Sequence, residues 1–228
     1  MKRFPLTIFG LIVIAATARL GAATYDVFND FSITNGNPNG VWSYGWSATL
    51  LSSLNLFPNG FVAGNGLLEW NDPNHISSGA PSVSANISNN VEGTNPPMTA
   101  AFHPGESGEY THYVWTAPGA GLFSLSALFS PDDVGGTDVY ILDNGVSLFS
   151  GEVGPGNPQS YSGFFTAAAG DKIDFAVGVG TDGTFDFDNT GIAATIQSVP
   201  EPSTWIAALG AATVMCVGYS RRRSIRYP

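Results

Sequence analysis

The middle of the chain alternates between apolar and polar positions. In "DKIDFAVGVG", Ile173, Phe175, Val177 and Val179 fall on one face of an extended segment, and Lys172, Asp174, Ala176 and Gly178 on the other. A period of two belongs to a half-buried β-strand. "DVYILDNGVSLFSG" carries two such strands around Asp143-Asn144-Gly145, and Asn-Gly accepts the positive φ angles of a tight hairpin turn. "GEYTHYVWTAP" and "GLFSLSALFS" predict a second pair around Pro118-Gly119, and "QSYSGFFTA" and "TGIAATIQ" complete that half. Asn71 to Pro97 is rich in Asn, Ser, Gly and Pro, and predicts long loops around one strand, "SVSANI". Helical periodicity is absent outside the two ends. Turn signals about every ten residues predict an all-β domain over 24–198, an antiparallel β-sandwich of jelly-roll type.

The ends follow another pattern. At the start, Lys2 and Arg3 precede an apolar stretch from Phe4 to Ala16 and then small residues, the layout of a secretory signal peptide over 1–23. Cleavage after Ala23 fits best and after Ala18 next; an uncleaved anchor is the alternative. At the other end, 15 uncharged residues run from Trp205 to Tyr219, followed by Arg221, Arg222, Arg223 and Arg226. As a helix they would extend about 22 Å, short of a ~30 Å hydrocarbon core unless the flanks contribute. Arginines beside such a segment stay on the cytoplasmic side, which leaves the preceding domain outside. Pro200 and Pro202 keep the junction extended.

Pro200, Glu201 and Pro202, then the apolar segment, then Arg221 to Arg223 resemble the PEP-CTERM sorting signal of exported bacterial proteins, over 199–228. That resemblance implies handling by an exosortase, a membrane cysteine peptidase, transient anchoring by the C-terminal helix, and residence in the cell envelope or outside it, in association with surface layers and exopolysaccharide. Five residues, "SIRYP", trail the arginine triplet. Glu109 to Ile196 resembles, as a pattern of strands and turns, jelly-roll modules similar to carbohydrate-binding modules. Fold alone does not give function.

Charge narrows the partners. Seven of the eight Lys and Arg residues lie at the two ends, and between Thr24 and Ser198 Lys172 stands alone against 17 Asp and Glu. No basic face for nucleic acid can be assembled from that set, and an anionic membrane surface is disfavoured. Neutral ligands and cations remain. The one cysteine, Cys216, lies in the C-terminal apolar run, so the domain has neither a disulfide framework nor a cysteine nucleophile.

Three constellations are candidates for chemistry. Trp42, Tyr44 and Trp46 in "NPNGVWSYGW" share one face of a strand; they are either a platform for stacking sugar rings or core. Asp182, Asp186, Asp188 and Asn189 in "TDGTFDFDNTG" offer oxygen ligands suited to Ca²⁺, with Asp186 and Asp188 expected on one strand face; a solvated acidic turn is the alternative. Asp132, Asp133 and Asp138 form a weaker set of the same kind. His75, His103 and His112 lack metal-ligand spacing, and His112 reads as a strand residue. A glycosidase needs two carboxylates across a cleft, and the sequence singles out no pair. No catalytic residue is assigned. The expectation is a non-catalytic exported surface or matrix protein that contacts polysaccharide, with no cofactor beyond calcium. The rivals are a calcium-dependent structural or adhesive module and a glycan-cleaving enzyme.

Overall fold

The computed structural model describes residues 22–75 and 80–200. The segments 1–21 and 201–228, which hold the expected signal and tail helices and the sorting residues from Glu201 onward, lie outside the described residues. Fourteen strands follow in order: β1 Thr24–Asp26, β2 Trp42–Ser47, β3 Asn55–Leu56, β4 Asn59–Val62, β5 Leu67–Asn71, β6 Ser82–Asn86, β7 Thr99–His103, β8 Tyr110–Thr116, β9 Gly121–Pro131, β10 Thr137–Asp143, β11 Val146–Val153, β12 Gln159–Ala167, β13 Lys172–Gly178 and β14 Thr190–Ser198. There is no helix among the described residues, hence none long and apolar enough to cross a membrane.

The strands form two antiparallel sheets. One runs β12-β9-β14-β7-β6-β5-β4, with β1 also paired to β14; the other runs β11-β10-β13-β8-β2-β3. Their inner faces are the apolar halves of the alternating strands. Ile173, Phe175 and Val177 of β13 and Tyr113 and Trp115 of β8 meet Phe123, Leu125 and Phe129 of β9 and Ile192 and Ile196 of β14 in one core. Tyr113 ties the layers polar-to-polar as well: its hydroxyl donates to the carbonyls of Ser84 (2.9 Å) and Ala101 (3.2 Å) on the opposite sheet. At the β10–β11 turn, Asn144 and Gly145 hold φ of 49° and 83°, the conformation that makes Asn-Gly a hairpin signal.

The expected pairing of β8 with β9 is not what forms. β8 pairs with β13 and β2, whereas β9 pairs with β12 and β14 in the other sheet. The Pro118-Gly119 link is an arch between layers, fixed by Ala117 N–H to Asp171 O (2.8 Å) and Gly170 N–H to Ala117 O (2.9 Å). Alternation fixes which side chains point inward, and it looks the same whether the next strand lies beside its predecessor or across the core.

β14 sets the long axis. β9 pairs along its whole length, while β7 takes Thr190 to Ile192 and β1 takes Thr195 to Gln197 on its other edge. The two ends of the described residues therefore lie together: Ser198 N–H donates to Ala23 O, and Val199 N–H to Leu122 O, both at 2.8 Å. The opposite end of β14 is about 27 Å away at ~3.3 Å per residue.

Candidate functional site

The row Trp42-Tyr44-Trp46 is not an exposed platform. Trp42 is 1% exposed and Tyr44 0%; both pack in the core, Tyr44 against Phe31 and Tyr113 and Trp42 near Phe175. Trp46 is half-buried, its indole covered by the His75 imidazole at 3.7 Å between ring centroids and 2° between planes. Large flat rings on one strand face offset the entropy of ordering that strand by burial, and the Ser and Gly of the other face could not form a core.

At one end of the row, Trp42 backs a cleft. The loop between β1 and β2 folds back on β2 through a dense set of polar contacts. Asp26 Oδ1 accepts Phe28 N–H (3.1 Å) and Asn29 N–H (2.8 Å). Asp30 Oδ2 accepts Asp26 N–H (2.8 Å) and the Trp42 indole N–H (3.1 Å). Asn39 Nδ2 donates to Asp30 O at 2.7 Å. Asn37 brackets Tyr44, its Oδ1 accepting Tyr44 N–H and its Nδ2 donating to Tyr44 O. Between loop and strand lies a cleft of about 480 Å³, whose lining includes Tyr25, Phe31 and Trp42 with Asn29, Asn35 and Asn39. Asn29 and Asn35 are exposed there. Trp42 and Phe31 form its buried floor, Tyr25 is the half-buried ring, and the Asn39 amide is held by its bond to Asp30 O; a ring edge beside several amides suits a small neutral polar ligand. Asp30 is the one carboxyl in the lining, so the cleft lacks the facing pair of a glycosidase.

The two acidic turns, far apart in sequence, meet at the other end of β14. Asp132 N–H donates to Asn189 O (3.1 Å) and Gly135 N–H to Phe187 O (2.8 Å). Residues 181–189 form a loop, not the expected strand, and Phe187 sits at φ 65°. Asp186 and Asp188 consequently diverge: Asp182 and Asp186 are exposed, whereas Asp188 is 1% exposed and Asn189 8%. The Asn189 amide donates to Asn95 Oδ1 at 3.3 Å and does not face Asp188. Asp138 is already engaged, its Oδ2 by the Tyr110 (3.0 Å) and Tyr140 (2.9 Å) hydroxyls and its Oδ1 by Gly180 N–H (3.0 Å). Asp188 has no hydrogen-bond partner at either carboxyl oxygen among the described residues. Burial, then the charges of Asp182, Asp186, Asp133 and Asp138, push its pKa up to about 8. Asp132 Oδ2 is also without a partner, and burial raises that carboxyl to about 7 against the Ser130 hydrogen bond. Among the described residues no three His, Cys, Asp or Glu side chains converge into a ready-made metal cage.

The structure also assembles a Ser-His-Asp chain that no spacing along the chain predicts. On the outer face of the second sheet, Ser47 Oγ lies 2.7 Å from His112 Nε2, and His112 Nδ1 lies 2.9 Å from Asp174 Oδ1. The residues are diagonal neighbours on β2, β8 and β13: Gly45 stands opposite His112, and His112 opposite Ala176. A triad is recognised by such geometry and not by spacing, and no local signal could have revealed this one. It does not form a nucleophile. Ser47 has no exposed surface, so a scissile carbonyl cannot approach its oxygen, and the hydroxyl also donates to Thr49 O (2.8 Å). The chain ties three strands to the β2–β3 loop.

No protein-family model matches the sequence, and no curated protein matches it. Among solved structures, similarity is found to a carbohydrate-binding module of family 51 from Clostridium perfringens, in complex with methyl-galactose (12% identity over 63% of this chain and 95% of that one, TM-score 0.35). A family 35 carbohydrate-binding module from Clostridium thermocellum (18% identity, 40% and 72%, TM-score 0.29) and pika GITRL (16% identity, 40% and 75%, TM-score 0.28) are similar to a comparable degree. Likeness this distant, shared by sugar-binding modules and GITRL alike, transfers no ligand.

Proposed function

We propose that this is an exported, non-catalytic β-sandwich of the cell envelope or matrix that holds a segment of neutral polysaccharide in the cleft beneath the β1–β2 loop. The observation that carries the reading is that cleft: the half-buried ring of Tyr25 beside the exposed amides of Asn29 and Asn35, on a loop fixed to β2 by its own hydrogen bonds. A pre-ordered loop does not have to be frozen when ligand arrives, which raises affinity. The domain's single lysine against its 17 carboxyls repels uronic-acid polymers and leaves neutral glycans as the fitting class. Export and sorting rest on the two terminal segments. The signal sequence delivers the chain, and Pro200, Glu201 and Pro202, the apolar segment and Arg221 to Arg223 present the tail to an exosortase-type peptidase while the helix holds it in the membrane. The pairing of Ala23 with Ser198, the described residues next to the two segments, supports this, since it puts both junctions at one end of the sandwich.

The test is affinity electrophoresis of the full chain in gels containing neutral polysaccharides. Retardation is expected with at least one, and is abolished by the double substitution Asn29→Ala, Asn35→Ala with an unchanged melting temperature. Equal mobility of wild type and double variant in every gel overturns the reading. Trp42→Ala is unsuitable as a probe because Trp42 is core.

A further inference from the structure

We infer that the end of the sandwich opposite the chain termini is a Ca²⁺ site anchored on Asp188 and shared between the β9–β10 and β13–β14 loops. An acidic cluster alone would not carry this; Asp188 does. It is buried, yet both its carboxyl oxygens lack a partner among the described residues, and a buried polar group without a hydrogen bond or counter-charge is costly for a fold to hold. The backbone is arranged around it. Phe187 takes the left-handed conformation that turns the next residue inward, and a Cβ on Gly135 would collide with Asp188 Oδ1. The facing loop thus approaches as close as glycine allows.

Among the described residues no lysine or arginine serves the site. Lys172 is the one Lys or Arg among the described residues and begins β13, at the strand's far end from Gly178. His103, coupled to Asp133 and Asp186, offers no cation either: its Nδ1 is bonded to Pro104 O (2.9 Å), and burial lowers its pKa despite those two carboxylates. Asp182 supplies the second carboxylate: its Oδ1 accepts Thr184 N–H at 3.2 Å, and its Oδ2 faces Gly136, 4.0 Å from where a Cβ would stand. Asp133 and Asp186 add charge at the mouth. With fewer than three side chains converging, main-chain carbonyls and water must complete the shell. Ca²⁺ accepts such mixed, irregular oxygen sets, whereas Mg²⁺ demands near-octahedral geometry and Zn²⁺ prefers nitrogen and sulfur. Binding would pin the two loops together, about one β14 length from the polysaccharide cleft.

The experiment uses the full chain, stripped with EDTA, titrated with CaCl₂ by calorimetry and followed by thermal melting. One saturable site is expected, with a Tm rise of about 5 °C or more that EDTA reverses and little effect of MgCl₂. Asp188→Asn mimics the neutral acid and should fold with the wild-type EDTA Tm or above, yet lose the Ca²⁺ response. Asp182→Asn, at an exposed position, should weaken binding at least tenfold. Absence of a Ca²⁺ effect on the wild type overturns the inference, as does an undiminished response in Asp188→Asn. Either failure leaves the polysaccharide assay untouched.

Discussion

Replacing His112 by alanine separates a structural Ser-His-Asp chain from a catalytic one. His112 is 2% exposed and bonds to both neighbours. Its charge-assisted contact to Asp174 is worth about 1.5–3 kcal/mol, and the void left by the ring adds about 1–2 kcal/mol. Some of this returns as hydration, because Asp174 is 22% exposed beside a cavity of about 220 Å³ under the β2–β3 loop. The expected net loss is about 3 kcal/mol, a large share of the ~5–15 kcal/mol that holds a domain together. Asp174→Asn keeps an acceptor for His112 Nδ1–H and should cost about 1–2 kcal/mol, with coupling of about 1–2 kcal/mol in the double-mutant cycle. Ser47→Ala should cost about 1 kcal/mol. Urea unfolding followed by tryptophan fluorescence measures all four, provided m stays constant. A His112→Ala loss below about 1 kcal/mol, or coupling indistinguishable from zero, would refute the reasoning. So would ester or glycan hydrolysis by the wild type that Ser47→Ala abolishes.

Two tyrosines of equal burial should respond unequally to loss of the hydroxyl. Tyr44 OH is buried beside Asn39 and the Ser32 backbone but forms no well-aligned hydrogen bond among the described residues, so Tyr44→Phe should cost less than about 0.5 kcal/mol or stabilise, whereas Tyr113→Phe breaks the bonds to Ser84 and Ala101 and should cost about 1–2 kcal/mol; equal Tm shifts would contradict this. Burial raises Glu69 to about 7 from 4.5, against an opposing hydrogen bond from Asn71. A raised carboxyl contributes stability that is full below its unfolded pKa and is lost as pH climbs through the folded one. Denaturation in EDTA should therefore show stability falling between pH 5 and 7.5, and Glu69→Gln should flatten that slope by about 1–2 kcal/mol after discount for partial exposure; a variant with the wild-type profile would exclude Glu69 as its source.

Sequence by itself determined what is periodic or local. Inward positions on β13 and β9, the Asn144-Gly145 turn, the all-β class and the poverty of cations follow from side chains two apart, from φ preferences at one dipeptide, and from counting. Tertiary structure decided everything that depends on which distant segments touch. It sent β8 and β9 to opposite layers, because alternation does not encode a strand's neighbour. It turned the Trp42-Tyr44 face into core and put the exposed amides of Asn29 and Asn35 beside it, because apolar rings gain most by leaving water wherever a second sheet can cover them. It joined the turns of Asp132 and Asp188, and it aligned Ser47, His112 and Asp174 from three strands. Such meetings are set by register and sheet order, which are fixed by the summed burial of the whole core and by no single stretch of chain.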